Sequence, residues 1–270
     1  MRLSIVFLFI SVAHAVESNA IDVPEIIRRS VAATETNFRE AQKYTFIEHD
    51  IVSKKDGPKS SKTYQVLFID GSPFDKTTAI DDKPLSAGEQ KAEDQEIQEE
   101  VYKREHESVQ ERSRRIAKYQ KGQAQNQALM RDMAEAFRFR LVKEEKLDGR
   151  DVYEFEATPK PGYVPRSRET RVLLGMRGTL WVDKETCQWV KVEAQVVKSV
   201  SFYGFLAKVG PGTRFELEQE PAAGNIWLPK HFSVIVSASA LGFLNENSTD
   251  DETYWNYRLM TKAIELEAMR

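Results

Sequence analysis

The chain has 270 residues, of which 30% are Asp, Glu, Lys or Arg, and its formal net charge is −3. Nothing in this balance points to a nucleic-acid binder, which is usually basic. The single cysteine, Cys187, excludes an internal disulfide, so the 41% of hydrophobic residues must supply the core unaided.

The first residues read as an export signal. Arg2 is followed by an apolar run, Leu3 to Val12, and then by the small-x-small pattern Ala13-His14-Ala15. The run is shorter than the roughly 20 residues a membrane-spanning helix needs. Cleavage is expected after Ala15, leaving one domain from residue 16 to 270. An exported chain without a disulfide fits the periplasm.

Pro24 to Tyr44 has apolar residues at helical spacing, with Ile26, Ile27, Val31 and Phe38 on one face. Two strands follow, Tyr44 to Val52 and Lys62 to Ile69, with a turn at Asp56-Gly57-Pro58. Ser86 to Gln120 is rich in helix formers, acidic in its first half and basic in its second, which complements the helix dipole. Its apolar stripe is thin, so a largely solvated helix is expected. A shorter helix, about Gln125 to Phe137, carries Leu129, Met130 and Met133. The helical block is thus an insertion over residues 86–137.

Beyond it the chain alternates as strands do. Phe137, Phe139 and Leu141 precede an Asp148-Gly149 turn, and Tyr153, Phe155 and Ala157 follow it. A Pro- and Arg-rich loop spans Pro159 to Thr170. In GTLWVDKETCQWVKVEAQVV, residues 178–197, two alternating arms flank the turn Asp183-Lys184-Glu185-Thr186. On the second arm Val190, Val192, Ala194 and Val196 are expected on one face. Strands at Phe215-Leu217, Ile226 to Ala240 (with Pro229 at an edge or bulge) and Thr253 to Leu259 complete the chain. Thr253, Trp255, Tyr257 and Leu259 are expected to share a face, and Asp250-Asp251-Glu252 to form a solvated turn. The fold class expected is α+β: one large curved antiparallel sheet, an incomplete β-barrel, wrapped around helices.

The order of elements and the string "G-x-L-W-V-D-x-x-T-x-x-W-x-K-V-E", here Gly178 to Glu193, resemble the periplasmic carriers that sort outer-membrane lipoproteins. So do "F-E-L-E" at Phe215 and "I-W-L-P-K" at Ile226. The resemblance implies a half-open barrel that holds acyl chains. Its charged insertion is longer than such carriers lead one to expect.

No catalytic constellation is evident. His49, His106 and His231 are scattered, and no metal-ligand spacing, nucleophile elbow or phosphate loop occurs. No cofactor and no metal are expected, and an enzyme is not. The leading expectation is a binding or carrier protein whose partner is a lipid or a lipidated protein, with transient membrane contact. The basic loop at Arg166, Arg168 and Arg171 is expected first as a plain solvated loop, and second as a place where anionic headgroups or an acidic partner would touch. Alternation nominates as cup-facing Tyr64, Val66, Phe68, Phe139, Tyr153, Phe155, Leu180, Val182, Val192, Phe215, Leu217, Phe232 and Trp255. A one-residue slip inverts any of these strands, and the same residues also suit a filled core. The alternative function is a cell-envelope interaction or sensor module that carries no lipid and presents helix 86–120 to a protein partner.

Overall fold

A computed structural model describes residues 21–54, 57–167, 169–201, 207–240 and 244–261. The expected signal segment and Arg168 lie outside the described residues. Helix α1 (Val23–Ala41) begins at Asp22, whose carboxylate accepts a 3.1 Å hydrogen bond from the Glu25 amide. Strands β1 (Tyr44–Lys54), β2 (Lys59–Ile69), β3 (Ser72–Ile80) and the short β4 (Lys83–Pro84) form a meander. Helices α2 (Ala87–His106) and α3 (Val109–Ala136) follow, then β5 (Phe137–Leu147), β6 (Arg150–Pro159), a 3-10 turn at Glu169–Gly175, β7 (Met176–Asp183) and β8 (Trp189–Val196). Short β9 (Val200–Ser201) and β10 (Ala207–Val209) lead to the long strands β11 (Arg214–Ala223), β12 (Ile226–Ala240) and β13 (Leu244–Leu259).

All the described strands belong to one antiparallel sheet, ordered β4-β3-β2-β1-β13-β12-β11-β8-β7-β6-β5, with β10 attached to β12 and β9 to β10. The ends, β4 and β5, do not pair with each other, so the sheet is an incomplete barrel with helices on one face. This is the α+β architecture expected. Pairing β1 with β13 joins the two ends of the chain, and it closes the sheet that the long insertion interrupts.

Several local expectations are corrected. The charged helix is not continuous from Ser86 to Gln120. It breaks at Glu107 and Ser108, both extended, and restarts because Ser108 and Glu111 make a reciprocal capping box. The second segment then runs through Gly122 without a break. Residues 72–80, left without a strand, form β3. Asp250-Asp251-Glu252 is not a turn but lies within β13, paired with β12 and β1. The loop after β6 ends in the 3-10 turn, and Arg166 is folded onto α3 through Asp132, at 3.1 Å, and Glu135.

The charged helix pair is docked. Ile97 of α2 is fully buried against Leu67 and Ile69. Arg104, only 5% exposed, donates to the carbonyls of Ile69, Ser72 and Pro73 at 2.6, 2.9 and 3.3 Å, and pairs with Glu100. Arg115 donates to the Asp70 carbonyl and the Ser72 hydroxyl. The β2–β3 turn is thus held by two guanidiniums, whose planar fork suits several carbonyls at once.

In the central hairpin, Asp183 Oδ1 accepts hydrogen bonds from the amides of Glu185 and Thr186 and from the Thr186 hydroxyl. A register shift near Trp181 and Val182 adds one residue to β8. Trp189 therefore packs beside Val192 under α1, while Val190 packs with Val152 and Trp227. The expectation that Val190 and Val192 share a face fails for that reason. Gly178 permits the close approach of β7 to β8, since a Cβ there would lie 2.4 Å from the Glu193 carbonyl oxygen.

Candidate functional site

Between the helices and the middle of the sheet lies a cavity of about 400 Å³. Helix α1 contributes Phe38 and Ala41, and α3 contributes Tyr119, Leu129 and Met130. The sheet contributes Phe46 and Phe68 from β1 and β2, Leu217, Trp227 and Phe232 from β11 and β12, and Tyr254 and Tyr257 from β13. Phe46 packs against Tyr254 and Tyr257 with ring centroids 5.9 and 5.2 Å apart, and Phe68 meets Tyr119 edge-on at 5.9 Å. Such edge and tilted contacts suit the aromatic quadrupole.

Part of the polar lining is spent internally, whereas Gln219 Oε1 is buried without a hydrogen-bond partner. The Tyr257 hydroxyl donates to the Pro229 carbonyl at 2.6 Å, and the Tyr254 hydroxyl donates to the Glu252 carboxylate. Burial pushes both phenols up, so they stay neutral. What they present to the cavity is ring surface.

Helix α1 is held over the cavity by buried hydrogen bonds. The Asn37 amide donates to Gln188 Oε1 at 2.8 Å, and its oxygen accepts from the Trp227 amide at 3.1 Å. Gln188 in turn donates to the Asn225 carbonyl, and the Trp189 indole donates to the Ser30 hydroxyl at 3.0 Å. These bonds satisfy groups that would otherwise be costly to bury.

One end of the cavity, at Glu252, adjoins an acidic cluster on β1 and β13. Pairing of β1 with β13 sets Glu48 opposite Tyr254, Asp50 opposite Glu252 and Val52 opposite Asp250. Burial, followed by the charges of Glu252, Asp75, Asp50 and Asp250, pushes Glu48 up to about 7. Burial and the neighbouring Asp250 carboxyl push Asp50 up to about 6. Burial also raises Glu252, although its bond from Tyr254 opposes the shift. Protonation near neutral pH therefore removes part of the charge from this end.

The nominated residues separate into groups. Phe68, Leu217 and Phe232 line the cavity. Val66, 4% exposed, stands opposite Phe46. Tyr64 stands opposite Glu48, with the Asp50, Asp75 and Glu93 carboxylates around its phenol. Phe155, Leu180 and Val182 are core residues under α1 with Ile27, Cys187 and Trp189, and Phe139, Tyr153 and Val192 pack against them. Phe215 packs on a separate core of Ala136, Leu173, Met176 and Val196. Trp255 stands opposite Ile47, 42% exposed and outside the lining.

Trp255 and Tyr257 part company because Asn256 has φ of +60° and the β1–β13 register slips between Thr45 and Ile47. Strict alternation pairs Trp255 with Tyr257. The bulge instead puts Tyr254 and Tyr257 inside. Phe46, Trp227, Tyr254 and Tyr257 on the sheet, and Phe38, Tyr119, Leu129 and Met130 on the helices, line the cavity without having been nominated from alternation. Only an Asn in the middle of an aromatic strand hints at the bulge, since Asn tolerates a left-handed backbone.

The histidines do not converge. His49 meets Asp82 at 3.0 Å, His231 meets Asp251 at 3.1 Å, and His106 stacks on Tyr102 of its own helix. Among the described residues no three His, Cys, Asp or Glu side chains are arranged to hold a metal ion, and no helix is long and apolar enough to cross a membrane.

No protein-family model and no curated protein sequence matches the chain. Among solved structures it is similar to a LolA superfamily protein from Nitrosomonas europaea, at 13% identity and a TM-score of 0.35, covering 92% of this chain and 97% of that one. It is also similar to an outer membrane lipoprotein-sorting protein domain from Vibrio parahaemolyticus, at 10% identity and a TM-score of 0.35, covering 90% and 99%. A third likeness is to the MucA/MucB complex of Pseudomonas aeruginosa, at 12% identity and a TM-score of 0.24, covering 89% and 100%. All three align over most of both chains but superpose loosely.

Proposed function

We propose that this protein is a non-enzymatic carrier of the periplasm that holds an acyl chain, of a lipid or of a lipidated protein, in the aromatic cavity. The observation that supports the reading is the cavity itself. At about 400 Å³ it falls within the 300–1,000 Å³ typical of small-molecule sites. Its walls are chiefly ring faces and aliphatic side chains, interrupted by Gln123, Asn126, Gln219 and Glu252, and the Tyr254 and Tyr257 hydroxyls are turned to internal partners. Transfer of each methylene from water into such walls contributes about 0.8 kcal/mol. Release then requires a competing apolar surface, either a partner protein or a membrane.

Native mass spectrometry of the mature chain from its own periplasm, followed by organic extraction, tests this reading. A co-purifying lipid or acylated peptide is expected. Leu217→Arg, which puts a cation into the lining, is expected to weaken binding of a fluorescent fatty-acid probe at least tenfold while circular dichroism stays unchanged. A clean apo mass with no uptake of offered lipid would favour the envelope interaction module, with the exposed face of α2 as its partner surface. If Leu217→Arg unfolds the chain, Phe68→Gln serves as the second variant at the opposite wall.

A further inference from the structure

A second recess opens between the first turns of α1, the last turns of α3 and the start of β5. It is a groove of about 510 Å³ floored by Val23, Ile27, Val31, Ala134, Phe137 and Phe139. It narrows inward to a chamber of about 50 Å³ that shares Ile27, Val31 and Phe139 with the groove and is closed by Leu180, Trp189 and Val192. None of the groove's side chains lines the aromatic cavity.

The rim of the groove is cationic, with Arg28, Arg131, Arg138 and Lys160 along it. The carboxylates around it are occupied. Glu25 pairs with Arg28 at 2.6 Å, Glu35 with Arg131, and Glu135 with Arg166. Arg138 and Lys160 are exposed and make no ion pair among the described residues. With the Asp132 carboxylate that Arg166 also holds, the local surplus is one positive charge, and Arg138 and Lys160 are the cations outside any described ion pair beside the apolar slot.

We infer that this groove seats one acyl chain of an anionic phospholipid in a bilayer surface, with the headgroup phosphate between Arg138 and Lys160. On the apolar floor a peptide's amides and carbonyls would need partners, from the peptide itself or from the free edge of β5. A hydrocarbon chain has no such groups. The unpaired cations complement a phosphate, Arg by a bidentate fork and Lys as a point charge. Anionic leaflets attract such cations, and salt screens the attraction. The groove would thereby bring the carrier to the membrane while the aromatic cavity stays free for cargo. This inference does not depend on what that cavity holds.

The test uses the mature full chain and vesicles of phosphatidylcholine with or without 30% phosphatidylglycerol. Co-sedimentation is expected with the anionic vesicles only, and Arg138→Gln/Lys160→Gln is expected to weaken it tenfold or more. Equal binding to both vesicle types, or by both proteins, would overturn the inference. Brominated acyl chains on the phosphatidylglycerol report insertion by quenching nearby tryptophan. Quenching is expected to persist in Trp227→Phe, which alters the aromatic cavity, and to fall in Trp189→Phe, which alters the chamber. The reverse pattern would place the chain in the aromatic cavity and remove the groove from the account. Should Trp189→Phe fail to fold, loss of quenching in the double charge variant decides the matter.

Discussion

Asn37 of α1 and Gln188, just before β8, are joined by a buried 2.8 Å hydrogen bond across 151 residues of sequence. Both residues are almost inaccessible, at 3% and 1% exposure. Together with the bond from the Trp227 amide to Asn37, this contact sets the height of α1 above the aromatic cavity. The helix is placed by polar pins as much as by its apolar face.

Asn37→Ala removes both bonds and leaves the Trp227 amide and the Gln188 carbonyl without partners. A loss of about 2–3 kcal/mol is expected, read as a lower urea midpoint. Gln188→Ala combined with it is expected to cost less than the sum of the two single changes. Additive costs would show that the pair does not act as a unit.

Arg104→Met replaces a buried guanidinium by an apolar chain and strips three turn carbonyls of their donor. It also leaves Glu100 facing only Lys103. The expected loss is about 3 kcal/mol. Faster amide hydrogen exchange along α2 should accompany it, with exchange in β6 and β7 little changed. Uniform acceleration would argue against a local anchor.

The bulge at Asn256 makes a separate prediction. Its φ of +60° is strained for a β-branched residue, so Asn256→Val is expected to cost about 1–3 kcal/mol. Asn256→Gly should fall within about 0.5 kcal/mol of the parent. Thermal denaturation of the two variants decides it, and equal melting points would deny the left-handed backbone.

Stability should fall with pH across the acidic cluster beside the cavity. Glu48 has its carboxyl raised from 4.5 to about 7 in the folded state. The proton is bound more tightly folded than unfolded, so its contribution is complete below pH 4.5 and lost as pH rises to about 7. Glu48→Gln is expected to flatten that loss, by on the order of 1 kcal/mol once solvent screening is allowed for. Melting temperatures of parent and variant at pH 5 and pH 8 provide the check. An equal drop in both proteins would assign the effect elsewhere, with Asp50, raised to about 6, as the next group to replace.

Much of the sheet was legible because period-2 alternation in residues 137–157, 178–197 and 214–240 is a direct imprint of one wet and one buried face. The helical block was legible by composition but not by its joint. The signal at the joint, Ser108 followed three residues later by Glu111, was present in the sequence. It lay inside a run of strong helix formers, where propensity alone favours continuation. Strand β3 carries no clear alternation because Asp75, Lys76 and Thr77 mix charge and polarity on a strand partly covered by α2. Among the nominated residues, Phe68, Leu217 and Phe232 reach the aromatic cavity, whereas Phe155, Leu180 and Val182 are equally apolar and inward-facing but are covered by α1.

By itself the sequence determined the class of structure: an open antiparallel sheet with one apolar face and a charged helical insertion. Such features are local, carried by periodicity, capping and turn residues within a few positions of one another. Only the tertiary structure decided which apolar residues are core and which line a cavity. That distinction depends on where α1 and α3 lie across the sheet, and on the bulges near Trp181 and Asn256. A single extra residue in a strand exchanges its two faces, and the hydrogen bonds that fix α1 join residues more than a hundred positions apart.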